Sequence, residues 1–240
     1  MYKNIKFQPT SEEAASFFEM PQPASEHLPE WYKEMSIHLD GETQTGLAPD
    51  SVASSNLTIK GCMPFLDALT AGYMFVLPFD LELRRNNRGM VGMRWATNID
   101  FISQHSQDQA PSLPLPEGAS PHILKWKPGW RAITPPGYSC LFTHPMNHIS
   151  LPFITFSGIV DTDKYNLGVE LPFRLLDFAG DLVILEKGTP IAQIFPFKRD
   201  DWKSSTAKFD EQEQKKNGFT LKSKIVRSYQ RFFWARKSYK

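Results

Sequence analysis

The sequence predicts a mainly β protein with short helical arms at its two ends. Three observations carry that reading. Nineteen prolines are scattered along the 240 residues, which favours strand ends and turns over long helices. From Asn56 to about Phe197 the apolar residues come in short or alternating runs bounded by Pro, Gly and Asn, as in YMFVLPFDLEL, GMVGMRWAT, GYSCLFT, LPFITFSGIVD, VELPFRLL, DLVILEKG and IAQIFPF. Helical spacing appears only outside that stretch.

Taken in order, residues 10–20 read as a short helix with Thr10 or Ser11 as N-cap, Glu12 and Glu13 in its first turn and Pro21 beyond its end. LPEWYKEM (28–35) reads as a second one, with Pro29 at its start. Residues 40–55 are polar and rich in Gly, Ser and Thr, hence a loop. The expected domains are an N-terminal helical or irregular arm over 1–55, a β domain over 56–200 and a helical basic arm over 201–240. Within the β domain, Asn86 and Asn87 in RRNNRG mark a hairpin turn. The Pro-rich stretch 106–129 is expected to be a long surface loop, with Trp126 and Trp130 anchoring it to the sheet or stacking on a ligand base. Past Phe197, DEQEQKKNG predicts a charged helix ending near Gly218. LKSKIVRSYQRFFWARKSYK then places Ile225, Tyr229, Phe232 and Phe233 on one face of a last, basic helix.

The formal charge of +1 conceals an asymmetry. Residues 215–240 hold nine Lys/Arg and no Asp/Glu, leaving 18 basic against 26 acidic residues before them. Such a tail can lie on a phosphate backbone, on an anionic membrane surface or on the acidic body of a neighbouring copy, or complete its own core. Cys62 and Cys140 are too far apart in a chain without secretory features to suggest a disulfide, and free buried thiols are expected. No segment has the ~20 apolar residues of a membrane span. The expected compartment is the cytoplasm, that of a bacterial host or a virion if the chain is phage-encoded.

The run SGIVDTDKYNLGVELPFRLLDFAGDLVILEKGTPIAQIFPF (157–197) resembles the third motif and closing strands of dUTPases and dCTP deaminases. Gly158, Asp161, Asp163, Tyr165, Gly168, Lys187, Gly188, Ile191, Ala192 and Gln193 stand in the family's order, and ITPPGYSCLF (133–142) is similar to its Pro-Gly-Tyr strand. The resemblance implies a β-clip (dUTPase-like) barrel or sandwich, a homo-oligomer with a trimer favoured, a nucleotide ligand, and Mg if the chain is an enzyme. It implies for Asp161, with Asp163 beside it, the role of activating water against a phosphorus. Blocks such as GCMPFLDALTAGY, TPPGYSCLFTHPMN and KGTPIAQIFPFKRDDW also resemble a family of phage and bacterial proteins that has no established activity.

Departures bear on catalysis. Where the dUTPase family has its phosphate-binding Arg-Ser-Ser, this chain has Thr143, His144, Pro145, Met146 and Asn147, so guanidinium and hydroxyls are missing. Ala71-Gly72-Tyr73-Met74 lacks the metal-binding carboxylate, and no Gly-rich lid motif closes the chain. An ordinary Mg-dependent dUTPase is not expected.

The candidate site residues follow. Asp161 and Asp163, at i and i+2, either act on a ligand or cap a turn. Tyr165, His144, Asn147, His148 and Gln193 are the candidate ligand-binding residues, with Asn147 and His148 offering neutral donors in place of the phosphate turn. His144 and His148 have the i, i+4 spacing of helical metal ligands, but Pro145 argues against a helix, so no metal site is expected of them. The function expected is a divergent nucleotide-binding protein or, more narrowly, a nucleotide hydrolase of altered specificity; the alternative is a non-enzymatic phage-type structural or interaction protein that reuses the fold and works through its arms.

Overall fold

The computed structural model describes residues 3–38, 57–86, 91–105, 109–110, 112–177, 179–222 and 228–240. Among them are fourteen strands, paired antiparallel throughout, and five α-helices. The mainly β expectation is met.

The central sheet has the order β11-β9-β14-β3-β2 and is built around the longest strand, β14 (Pro190–Lys198). Ile191, Ala192, Gln193 and Ile194 on β14 are all fully buried, as expected of a strand covered on both faces. β9 (Tyr138–Thr143) flanks it on one side and β3 (Tyr73–Val76) on the other. β11 (Gly158–Val160) and β2 (Gln22–Pro23) are the edges. β3 can lie so close to β14 only because Gly72 precedes it: its φ is +70°, and a Cβ there would overlap the main-chain oxygen of Ile194.

A second sheet runs β10-β12-β7-β6, from β10 (Phe153–Thr155) and β12 (Leu171–Leu175) to β7 (Leu124–Trp126) and β6 (Ile102–Gln104). Here the expected long surface loop of 106–129 is corrected, because β7 lies inside that stretch and occupies an interior place in the sheet. Trp126 is fully buried, stacks on Phe173 with ring centroids 3.5 Å apart, and donates its indole N–H to Thr155 Oγ1 at 3.2 Å. It is core rather than a stacking platform for a ligand, and a side chain of that size contributes roughly 3 kcal/mol by burial. The three residues of β7 are too few to show a period between flanking prolines.

β13 (Leu182–Leu185), β4 (Leu81–Arg85) and β5 (Val91–Arg94) make a third sheet; the Arg85↔Val91 pair closes the predicted hairpin, whose residues 87–90 lie outside the described ones. β1 (Lys6–Pro9) pairs with β8 (Trp130–Ile133), so the N-terminal residues supply strands as well as helix. One aromatic-rich core joins the sheets, with Phe101, Trp126, Phe153 and Phe173 at its centre.

The predicted helix starts hold. α1 (Glu12–Phe17) is capped by Ser11, whose hydroxyl accepts from the Ala14 N–H at 3.0 Å, and α2 (Glu30–Glu34) follows Pro29. α3 (Met63–Thr70), with a proline in its first turn, was not foreseen. The loop expected over 40–55 lies outside the described residues.

At the other end two expectations change. α4 (Glu211–Lys222) runs through Gly218, since one glycine costs a helix only about 1 kcal/mol and does not stop it. α5 spans only Ser228–Phe232, and the residues after it are irregular; Ile225 and its neighbours 223–227 lie outside the described residues. Tyr229, Phe232 and Phe233 stay exposed, so they complete no core within this chain. Both cysteines are free, Cys140 buried and Cys62 exposed, which corrects the second. Burial pushes the Cys140 thiol up to about 11.

Candidate functional site

Asp161 follows directly on β11, and its carbonyl accepts from the N–H groups of Lys164 and Tyr165, each at 2.8 Å, to close a turn. That turn faces the start of β9, where Gly137, at φ +84°, brings its N–H to within 2.8 Å of Asp163 Oδ2. Ser139, fully buried, donates its hydroxyl to Asp161 Oδ1 at 2.7 Å. A third element completes the cluster. Just past β14, Arg199 donates its main-chain N–H to the Gly137 carbonyl at 2.9 Å and turns its guanidinium across both carboxylates.

The two aspartates are therefore unequal. Asp163, with its side chain only 5% exposed, receives both terminal nitrogens of Arg199, one at 2.8 Å, and that pairing, aided by the Gly137 N–H, holds its carboxyl down at about 2. It is locked as an anion and structural. Asp161 receives one Arg199 nitrogen at 3.2 Å and the Ser139 hydroxyl, both on Oδ1. Its side chain is 52% exposed, and both of its hydrogen bonds among the described residues fall on Oδ1, none on Oδ2. Tyr165, Ile159 and Leu167 stand exposed nearby in sequence. Two carboxylates against one guanidinium leave a net negative charge, so the cluster suits hydroxyl and N–H donors or a cation, and repels bare phosphate.

Arg199 was missed by sequence reading. Its signal was there, in KRDDW immediately after the closing strand, but nothing local says that an arginine 38 residues from Asp161 will reach it.

The other candidates lie elsewhere. β9 leads from Ser139 at one end to Thr143 at the other, and His144 follows; five steps of ~3.3 Å put His144 on the order of 15 Å from the aspartates. The residues expected to share one pocket therefore form two clusters in a single chain. In the second, His144 Nδ1 accepts from the Thr155 N–H and Nε2 donates to the His148 carbonyl, each at 3.3 Å, which fixes a neutral tautomer; burial also lowers its pKa. Asn147 takes a left-handed φ of +63° at the loop's tip. Gln193 is fully buried and fully engaged: its carbonyl accepts from the Met146 N–H at 2.8 Å, and its amide donates to the carbonyls of Ala68 and Ala71 at 2.9 and 2.6 Å. These bonds tie the loop to the end of α3 through Gln193. His148 is 6% exposed and its Nε2 is buried without a partner. Among the described residues no three His, Cys, Asp or Glu groups are placed to hold a metal ion.

No family model and no curated protein matches the chain. Among solved structures it is similar to the dUTPase of Staphylococcus bacteriophage 80alpha, solved with dUpNHpp, at 10% identity over 87% of this chain and 98% of that one, with a TM-score of 0.38. It is likewise similar to the dUTPase of phage phi11 of S. aureus, a structure described for its coordination of a structural Mg(II) ion, at 11% identity over 88% and 99%, with a TM-score of 0.38. The EIAV dUTPase is similar at 13% identity over 59% of this chain and 84% of that one, with a TM-score of 0.32. No residue of this chain takes a role from these likenesses.

Proposed function

We propose that this chain is a divergent nucleotide-binding protein whose site is completed between copies of a homo-oligomer, with a trimer favoured. The observation that carries the reading is the unequal pair: Asp161 is held by Ser139 and Arg199 through one oxygen while its side chain stays 52% exposed, and Tyr165, four residues on in the same turn, is exposed as well. A carboxylate so held accepts a sugar hydroxyl or positions a water molecule, and an exposed tyrosine gives a base a face to stack on. What the cluster lacks is positive charge for phosphates, because Arg199 is spent on Asp163. The missing donors would come from the loop of His144, Asn147 and His148 on another copy, since the two clusters stand apart in one chain. Mg fits here only as an ion carried by nucleotide phosphates and met by a single carboxylate, since these residues build no resident metal site.

If the site hydrolyses its ligand, Asp161 is the base. Asp161→Asn would then keep the fold and ligand binding while cutting turnover by orders of magnitude, read as product release from a panel of deoxynucleoside triphosphates. Weak or no dUTP hydrolysis is expected of the unaltered protein, and robust magnesium-dependent release of pyrophosphate from dUTP would refute that expectation. Thermal shift with the same panel tests binding alone: a ligand at 100-fold its Kd adds ~2.7 kcal/mol of stability. Inertness in both assays favours the alternative, an interaction protein. That reading has its own support in an arm whose residues 200–217 are nearly all exposed, with Trp202 92% and Phe209 76% accessible. The arm's basic residues would meet a polyanion or the acidic body of a neighbour. Placement in the cytoplasm, that of a bacterial host if phage-encoded, belongs to the same proposal; among the described residues no helix is long and apolar enough to cross a membrane.

A further inference from the structure

Residues 234–240 form no regular element, yet three of their side chains are held against the body. Asp67, on α3, accepts from the Trp234 indole N–H at 2.9 Å and from Lys237 Nζ at 2.6 Å, both on Oδ2. The Tyr239 ring packs edge-on to Tyr73 of β3 at 6.2 Å and tilted to Phe195 of β14 at 6.0 Å. The Tyr73 hydroxyl donates to the main-chain oxygen of Lys240 at 3.3 Å. Between these contacts Ala235, Arg236 and Ser238 are exposed, whereas Trp234 and Tyr239 are half-buried. The segment is thus gripped by spaced side chains in the way a surface reads a peptide motif. Lys237 Nζ also lies over the Trp234 ring, 5.8 Å from its centre, and donates to the Ala235 carbonyl at 3.0 Å, which turns both donors toward one acceptor.

The surface that holds the tail is fixed by bonds the tail does not make. The Gln193 amide ties the Ala68 and Ala71 carbonyls at the end of α3 to β14, and Gly72 brings β3 against the same strand. Among the described residues the hydrogen bonds of Asp67 run to the tail alone, so departure of the tail leaves a carboxylate calling for a donor. The tether is open: residues 200–217 are exposed throughout, as are Tyr229, Phe232 and Phe233. A tail on so long a tether competes from a modest effective concentration, and ordering an irregular segment costs entropy that a few side-chain contacts must offset.

We propose that the surface formed by Asp67, Tyr73 and Phe195 is a binding site for an extended peptide of another protein, one carrying a tryptophan, a lysine three residues on and a tyrosine two residues after that, and that the chain's own tail is its resident competitor. Specificity comes from Asp67, which takes an indole N–H and an ammonium together, and from the two rings that receive a third. The partner binds only the state in which the tail is released, so its apparent affinity is reduced by the docked fraction. Changes confined to the tail therefore strengthen partner binding, and changes at Asp67 weaken it.

The test uses the whole chain and a synthetic peptide of its residues 232–240, FFWARKSYK, with fluorescein at the amino end. Saturable binding by fluorescence anisotropy is expected, with an apparent Kd below about 1 mM. A chain carrying Lys237→Glu and Tyr239→Ser, whose own tail is released, should bind the peptide roughly fivefold tighter or better. Adding Asp67→Asn to that chain should weaken binding by about tenfold, as should replacing the peptide's tryptophan by alanine. In the unaltered protein the unlabelled peptide should move the Trp234 indole N–H resonance, assigned by its loss in Trp234→Phe, toward its position in the released-tail chain, with the other indole resonances unmoved. No saturable binding by the released-tail chain, binding no tighter there than to the unaltered protein, or equal binding after Asp67→Asn would each overturn the inference. So would movement of the Trp234 resonance to its released position on dilution of the protein alone, because the docked tail would then belong to a second copy.

Discussion

Acidification should destabilise this protein through one buried imidazole before any carboxylate is involved. His148 is 6% exposed, its Nε2 has no partner, and desolvation, with His144 and His27 nearby, lowers its pKa from 6.5 to about 4. Above pH 6.5 the ring is neutral both folded and unfolded and contributes no pH dependence. As pH falls below 6.5 the unfolded chain takes up a proton that the folded protein refuses, and the loss continues until pH reaches about 4. Each unit corresponds to about 1.4 kcal/mol, so the full penalty is about 3 kcal/mol, a large share of a typical stability of 5–15 kcal/mol. His27 and His144, whose pKa values are lowered by burial in the same direction, add to it. Asp163 acts in a separate window: held down at about 2, it contributes stability that is present above pH 4 and lost below it. The assay is urea unfolding followed by tryptophan fluorescence at pH 7.5, 6.5, 5.5 and 4.5, on the unaltered protein and on His148→Gln. Whatever the variant costs at pH 7.5, its stability should fall less steeply between pH 6.5 and 4.5. Parallel curves for the two proteins would refute the reasoning.

Two further outcomes concern the strand ends. Arg199→Lys should lower the urea midpoint and raise the Asp163 titration seen by carbon NMR, because an ammonium cannot span both oxygens of Asp163 and still reach Ser139 and Asp161; an unchanged titration would show that the pairing is not what holds Asp163 down. Gly72→Ala should cost more than about 2 kcal/mol, since the left-handed backbone and the overlap with the Ile194 oxygen both penalise a Cβ; a midpoint within error of the parent would mean that β3 and β14 leave room for a methyl group at Gly72.

The residues read most reliably from the sequence are those whose structure depends on near neighbours. Ser11 caps α1 because its hydroxyl needs only an N–H three residues on, and the turn at Asp161–Tyr165 closes on the Asp161 main-chain carbonyl within four residues. Strand alternation between prolines gave most of the β elements for the same reason. Where three residues had to be recognised as an interior strand, as in β7, local pattern carried too little information, and only the stacking of Trp126 on Phe173, 47 positions away, places it. The candidate site shows the same division. Asp161 and Asp163 were legible as a pair, but which one is free was decided by Arg199, arriving from the end of β14. Gln193 was legible as a motif residue, but not that its hydrogen bonds would run to the end of α3 and to the His144 loop. Tail docking depends on Asp67, 167 residues before Trp234. Chain neighbours determine caps, turns and periodicity because those interactions close within a few residues; ion pairing, burial and the clefts between elements depend on distances that only strand register and sheet packing set.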